Sequence, residues 1–373
     1  MAITKQELDS ITTKLETGDY KCYFFLPDFD KHSGGIQYVY NHVLRMREEG
    51  YNAIILHQKT GYRPEWLADW FETDDDGKFV DFEVQYLDAE NLRINMEDFF
   101  FIPEGFPELM ENLKNATCKK IVFCLNWFYV LNALKPGTFW DSYGITDCMS
   151  ITQSQTEYLK MIMPFLNIKN VVGQIDNTVY TPPERVSDKR MQMAFIPSRD
   201  GGAKAHNVIK TFYALFPHLR FINFIELKGM DKDQFASAMR ESQFYVHFDE
   251  HSSMGTAPLE AWLSDCLVAG WDGVGGREFM SDKNTWLAPN GDVVRLALAM
   301  GHMVETHLTD GVTDEMKADI REQCERYTVE TERASVIEAH AAWKAERIEQ
   351  IKKLRKIAID ESEVVELPVT EVE

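Results

Sequence analysis

Short apolar runs alternate with amphipathic helical stretches twice over in this chain, with a break between the two series. No other feature limits the possible folds so strongly. Strands buried on both faces and laid parallel to one another must be joined by crossover helices, which is α/β architecture. The first series of strand-like runs is 21–27 (KCYFFLP), 52–57, 98–103 (DFFFIP), 119–125, 148–154 and 170–175. Helical patterns fit between them, at about 36–49, 105–115 and 155–163. Residues 176–188 break the series, because the Pro182-Pro183 pair continues neither a helix nor a central strand. The alternation then restarts with strands at 191–197, 219–227, 242–249 and 266–272 and helices at 203–215, 231–241 and 256–264. The 373 residues are about two and a half times the ~150 of an average domain. The pattern predicts an N-terminal domain over 1–180, a C-terminal domain over 185–330 and a helix over 331–358. A tail over 360–373, with six acids and no basic residue, is expected to be disordered.

Charge narrows the partners. Lys and Arg number 39 against 60 Asp and Glu, a net −21 spread over both halves. That lacks the basic footprint of a binder of phosphate backbones or anionic membrane surfaces. The polar N-terminus has no apolar core of a secretory signal, and no run reaches the ~18 apolar residues of a membrane span. No stable membrane insertion is expected. The six cysteines are scattered without a CxxC pair, as expected of reduced, buried thiols in a cytoplasmic protein, or one in the host cytoplasm if phage-encoded. The basic stretch 344–356 reads as a solvated helix face.

Three segments carry chemistry. In 26–43 a buried strand runs into a loop holding Gly34 and Gly35 and then into a helix. Glycines there let a ligand approach the backbone, and the free N–H groups of a helix start can face an anion. The spacing is not GxGxxG, so a dinucleotide fingerprint is missing. In 194–212 a second strand ends in a polar loop with Arg199 and Lys204 five residues apart and a helix opening near Lys204. Two cations and a helix start at the carboxyl end of a strand suit a departing diphosphate. In 248–280 Met254-Gly255 opens another helix, with Glu260 placed to accept from ribose hydroxyls. Gly273, Gly275 and Gly276 follow in a loop leading to Glu278, where amides can meet sugar hydroxyls or phosphate oxygens.

Together these segments resemble the GT-B glycosyltransferases of the large retaining group that includes sucrose synthases and bacterial glycan-building transferases. The resemblance spans about 20–300 and is more specific in its C-terminal half. It implies two Rossmann-like doubly wound domains facing a cleft, with C-terminal helices after them. It also implies that Arg199 and Lys204 bind the donor diphosphate and, with Glu260, form the catalytic set. Glu260-Ala261 matches the second Glu of the family's Glu-x7-Glu motif, and Met254-Gly255 its Phe-Gly pair. The first Glu of that motif falls on Ser252, with Glu250 two residues earlier. Gly275, Gly276 and Glu278 resemble the family's GG-x-E, and 171–182 with Asp176 its interdomain segment. Gly34, Gly35, Ser252, Met254, Gly255, Gly275, Gly276 and Glu278 are thereby expected on the donor.

The family's N-domain histidine is not evident. Asn126 and Trp127 stand at the corresponding strand end, on the expected acceptor side, followed by Phe128 and Tyr129. Of the histidines, His32, His42 and His57 read as structural and His251 as the best placed for a site. Asp28-Phe29-Asp30 mimics the metal-binding DxD of the other glycosyltransferase fold. The Arg/Lys pair already supplies cation, so no metal and no cofactor beyond the nucleotide-sugar co-substrate is expected. The implied activity is transfer of a sugar to a hydroxyl acceptor, with retention. A saccharide or small molecule is the default acceptor, and a hydroxymethylated base of phage-type DNA the second, disfavoured by the acidic N-terminal half. A nucleotide-sugar epimerase of the same architecture and a non-catalytic sugar-binding relative are the alternatives.

Overall fold

A computed structural model describes residues 2–197, 202–357 and 365–366. The chain divides into two units. One comprises 1–151, 156–171 and 333–373, and the other 152–155 and 172–332.

The first unit is built on an all-parallel sheet of seven strands. In chain order these are Cys22–Phe25, Ala53–His57, Glu83–Tyr86, Phe99–Pro103, Lys119–Cys124, Asp147–Ser150 and Asn167–Asn170. Across the sheet they run third, second, first, fourth, fifth, sixth, seventh. That is the doubly wound order, reversing between Cys22–Phe25 and Phe99–Pro103. The apolar runs are continuous because both faces are covered. Phe24, Phe101 and Phe123 face one core with Leu8, Leu15, Val39 and Trp343, whereas Tyr23, Phe25 and Phe100 face another with Met110, Val130 and Leu159. Each fully buried aromatic contributes ~1.5–3 kcal/mol of transfer free energy.

The second unit holds a five-stranded parallel sheet of Arg190–Phe195, Asn223–Glu226, Ser242–His247, Leu267–Trp271 and Trp286–Ala288. Its order is second, first, third, fourth, fifth, so it reverses between Arg190–Phe195 and Ser242–His247. Helices Ala203–Leu215 and Val293–Leu308 pack on one face through Val208, Phe212, Leu296 and Met300. Among the described residues no helix is long and apolar enough to cross a membrane.

Several expectations shift. The run 170–175 is not a strand: the strand is Asn167–Asn170, and beyond it Ile175 gives its N–H to the Tyr327 carbonyl at 2.8 Å. The run 148–154 stops at Ser150, and helix Gln153–Ile162 begins where the Thr152 hydroxyl accepts the Gln155 N–H at 3.2 Å. The units part at 171/172, before the Pro182-Pro183 break. The C-terminal helix, Val329–Ile357, is no separate element, because from 333 onward it belongs to the first unit and buries Val336, Ala339, Trp343 and Ile351 there. Its basic stretch is only partly a solvated face. Arg347 turns inward to the carbonyls of Met96 and Thr117, at 2.8 and 2.6 Å. The acidic tail lies outside the described residues except Val365–Glu366, whose backbone pairs antiparallel with Ala2–Ile3.

Candidate functional site

Open α/β sheets bind ligands outside the carboxyl ends of their strands, where the strand order reverses. In the second unit that place lies between the loops following Arg190–Phe195 and Ser242–His247. Helix Ala203–Leu215 begins there on Gly202, which takes the left-handed conformation (φ 83°) that glycine tolerates and has no side chain to cap the helix. Lys204, in the first turn, puts its Nζ 2.5 Å from Glu250 Oε2 on the opposite loop. The Lys204 side chain is 43% exposed and that of Glu250 16%. A helix start on glycine with a partly exposed ammonium beside it is an anion-binding arrangement. Arg199 and Gly201 lie outside the described residues.

The 248–256 loop is held from within. The Asp249 carboxylate accepts the N–H groups of His251 and Ser252, at 2.8 and 3.1 Å, and the Ser252 hydroxyl as well. Ser252 is therefore engaged by Asp249, while Glu250, two residues before the expected position, faces the cation. Behind the loop His247 is buried, and desolvation lowers it to about 4 against the opposing charge of Asp249. Its imidazole is neutral and lies against Gly255, where a Cβ would sit 3.4 Å from Nε2. Met254 is buried beneath the turn.

Helix Ala257–Leu263 carries Glu260, whose carboxyl is pushed up to about 7 by burial, with a Thr256 side-chain hydrogen bond opposing. A carboxyl poised there can either accept or donate to a hydroxyl at neutral pH. Gly275 approaches the loop so closely that a Cβ would stand 1.6 Å from the Ser253 carbonyl oxygen, and its N–H points to the Ser252 carbonyl at 3.3 Å. At Gly276 the nearest atom to a Cβ would be the flexible Met280 Sδ, at 3.0 Å. Gly275→Ala is therefore expected to destabilise the protein by about 3 kcal/mol, while Gly276→Ala costs clearly less. Urea unfolding midpoints of the two variants check this, and equal shifts would refute the close approach. Glu278 has a structural engagement. Its Oε1 accepts the Ser154 N–H at 2.7 Å, and its carbonyl accepts from Arg326 at 3.1 Å.

In the first unit the order reverses beside the loop after Cys22–Phe25. Helix Gly34–Glu48 starts there, with the Ser33 hydroxyl accepting the Ile36 N–H at 3.4 Å. A Cβ at Gly35 would come 3.2 Å from Leu125, whereas Gly34 has open space. Asn126 caps helix Trp127–Ala133, its side chain accepting the Phe128 N–H at 3.0 Å. The Trp127 ring packs on Tyr158, with centroids 5.6 Å apart, and Phe128 and Tyr129 are exposed.

Sequence reasoning missed Glu104, at the end of Phe99–Pro103. It is buried, accepts the N–H groups of Leu125 and Asn126 at 3.1 and 2.7 Å, and is pushed up to about 7 by desolvation. An acid directly after a run of buried aromatics was the available signal. Asp28 is spent on the amides of Gln58 and Lys59, at 2.9 and 3.2 Å. Among the described residues no group of three or more His, Cys, Asp or Glu is arranged to hold a metal ion. His42 and His57 sit in the core, His42 paired with His340 and His57 with the Tyr40 hydroxyl, each at 2.9 Å.

No protein-family model matches the chain. Among curated proteins it is 25% identical over 245 residues to the alpha-1,6-glucosyltransferase of Actinobacillus pleuropneumoniae serotype 7 (strain AP76). That alignment covers 62% of this chain and 67% of the relative. Among solved structures it superposes on Anabaena HepE in complex with UDP-glucose with a TM-score of 0.62 at 11% identity, covering 86% of this chain and 99% of that one. The sucrose-phosphate synthase of Thermosynechococcus elongatus gives 0.59 at 10% identity over 87% and 98%. These structural likenesses establish the fold. That fold is the two-unit GT-B type, and in sequence the chain is similar to a glucosyltransferase.

Proposed function

We propose that the protein transfers glucose from a nucleotide diphosphate donor, UDP-glucose, to a hydroxyl of a saccharide, with retention at the anomeric carbon. The observation that carries this reading is Lys204, held in the first turn of the helix that starts at the strand-order reversal of the second unit. Breaking the anomeric C–O bond leaves negative charge on the diphosphate, and a fixed cation stabilises that charge more as it grows. Lys204 supplies such a cation, and the motif resemblance assigns Arg199 to the same diphosphate. Glu260 takes the ribose hydroxyls, and the amides around Gly275 and Gly276 lie toward the sugar, near Ser252, Met254 and Gly255. Glu278 supports this loop through Ser154. Gly34 and Gly35 leave room for the ligand backbone contact, and Asn126 and Trp127 belong to the acceptor side. No metal is required for this scheme. The glucosyl and UDP assignments draw on the printed activity of the Actinobacillus relative and on the ligand of the Anabaena structure. Retention rests on the resemblance of the motifs.

The test is release of UDP from UDP-glucose by the full chain, compared with UDP-galactose, UDP-N-acetylglucosamine and the GDP and ADP sugars. It is run with and without glucose-containing oligosaccharides, and the product anomer is read by proton NMR. UDP release that rises with a saccharide and yields an α-linked product is the expected result. Absence of nucleoside diphosphate release from every donor would refute the transferase assignment, and conversion of the donor to its epimer would replace it with the epimerase reading.

A further inference from the structure

A cluster of aromatic rings in the first unit is used by none of the chemistry above. The loop after Cys22–Phe25 carries Phe29 and His32, and the segment after Ala53–His57 carries Tyr62, Trp66 and Trp70. Both segments leave the carboxyl ends of adjacent parallel strands, the ligand side of such a sheet. The cluster is braced by hydrogen bonds. The Phe29 N–H donates to the Tyr62 hydroxyl at 2.7 Å, and the Phe29 carbonyl accepts the Trp66 indole N–H at 3.0 Å. The His32 ring lies 5.2 Å from that of Trp66 and 6.5 Å from that of Trp70. Trp66 and Trp70 root on the core while remaining half-buried, and Phe29 is 42% exposed. Desolvation lowers the His32 pKa, with the Asp69 charge opposing.

We propose that Phe29, His32, Trp66 and Trp70 form a platform that binds a neutral saccharide, as the acceptor subsite of the transferase. The inference rests on the transferase reading for its role, though not for the binding itself. Preorganised rings offer flat apolar faces to the C–H face of a pyranose at little entropic cost, and polar groups at their edge fix its orientation. Asp69 lies near His32 and Asp30 near Tyr62, and both carboxylates accept hydroxyl donors. The segments 28–32 and 58–70 together hold Asp28, Asp30, Glu65 and Asp69 against Lys31, Lys59 and Arg63. Arg63 is turned onto the Asp76 carbonyl at 2.6 Å. That balance makes no basic face for a nucleic acid, on a chain of net charge −21.

The test titrates isomaltotriose and maltotriose into the full chain without donor, by calorimetry and tryptophan fluorescence, with a single-stranded oligodeoxynucleotide as competitor. Phe29→Ala removes an exposed ring and leaves the core closed. Trp70→Ala is paired with Trp70→Phe, which restores a ring, and thermal unfolding establishes that each variant is folded. The expected result is saturable sugar binding that weakens about tenfold in both alanine variants, returns in Trp70→Phe and is untouched by the oligonucleotide. A tenfold loss corresponds to about 1.4 kcal/mol. Binding equal to wild type in folded alanine variants, no binding of either sugar, or displacement by the oligonucleotide overturns the platform. Sugar binding without nucleoside diphosphate release from any donor would instead leave the platform standing and remove the transferase reading.

Discussion

Lys204→Ala is expected to lower kcat/KM for donor turnover by about 10²–10³-fold, the loss that follows removal of one fixed group from a developing oxyanion. Most of the loss falls on kcat, because the diphosphate carries more charge in the transition state than in the bound donor. Without the ammonium, the largely enclosed Glu250 carboxylate loses its partner at 2.5 Å and faces the site as an uncompensated anion. Charge repulsion against the donor then adds to the missing attraction. Lys204→Arg keeps the charge on a larger, planar group and should fall between the two. Steady-state kinetics at fixed ionic strength measures this, since Lys204 is partly exposed and its field is screened by salt. A Lys204→Ala enzyme with kcat/KM within twofold of wild type would show that the leaving diphosphate departs elsewhere.

Acidification is expected to unfold the protein steeply below pH 6. His57 and His247 are lowered by burial to about 4, and the buried His42–His340 pair is held below the ordinary range for the same reason. All four are neutral in the fold and become cationic in the unfolded chain near pH 6.5. The unfolded state therefore binds more protons in this window, so stability falls as pH drops from 6.5 towards 4, by ~1.4 kcal/mol per pH unit for each group. The two carboxyls raised furthest oppose this. Glu104 and Glu260, both raised to about 7, hold protons in the fold that the unfolded chain releases above 4.5. Four against two leaves a net loss of about 3 kcal/mol per pH unit between 6 and 5, against a typical total of 5–15 kcal/mol. Circular dichroism across a pH series tests the slope. A His42→Gln, His340→Gln double variant removes two of the four groups and should move the acid midpoint downward. An unchanged midpoint in a folded double variant would exclude the pair as a source.

The legible parts of this molecule were those written in continuous apolar runs. Phe99–Phe101 and Ile54–Leu56 announce strands buried on both faces, and the restart at Met191 announces a second sheet. Glu83–Tyr86 was missed because an edge strand that is half exposed carries no apolar run. Helix Lys5–Thr17 was readable in principle, since Thr4 and Glu7 form a reciprocal capping box before it. Val293–Leu308 likewise starts on a side-chain cap from Asp292. The site divides in the same way. Glycines and the Lys204 position show in the sequence, because turns and helix starts are local. The Lys204–Glu250 pair and the grip of Glu104 on Leu125 and Asn126 do not, because they join residues 46, 21 and 22 positions apart. Only the strand order makes those residues neighbours.

The path of the chain bears on how such a protein is inherited and made. The second unit interrupts the first, whose core is completed by Val336, Ala339, Trp343 and Ile351 from the far end of the polypeptide. Replacing the second unit by recombination therefore requires an internal exchange with a joint on each side, since swapping everything after its start would carry those four side chains away with it. During synthesis the same arrangement sets an order of events. The second unit has all its strands and helices as soon as it leaves the ribosome, while the first waits, with part of one face of its sheet uncovered, for the helix that follows the second unit.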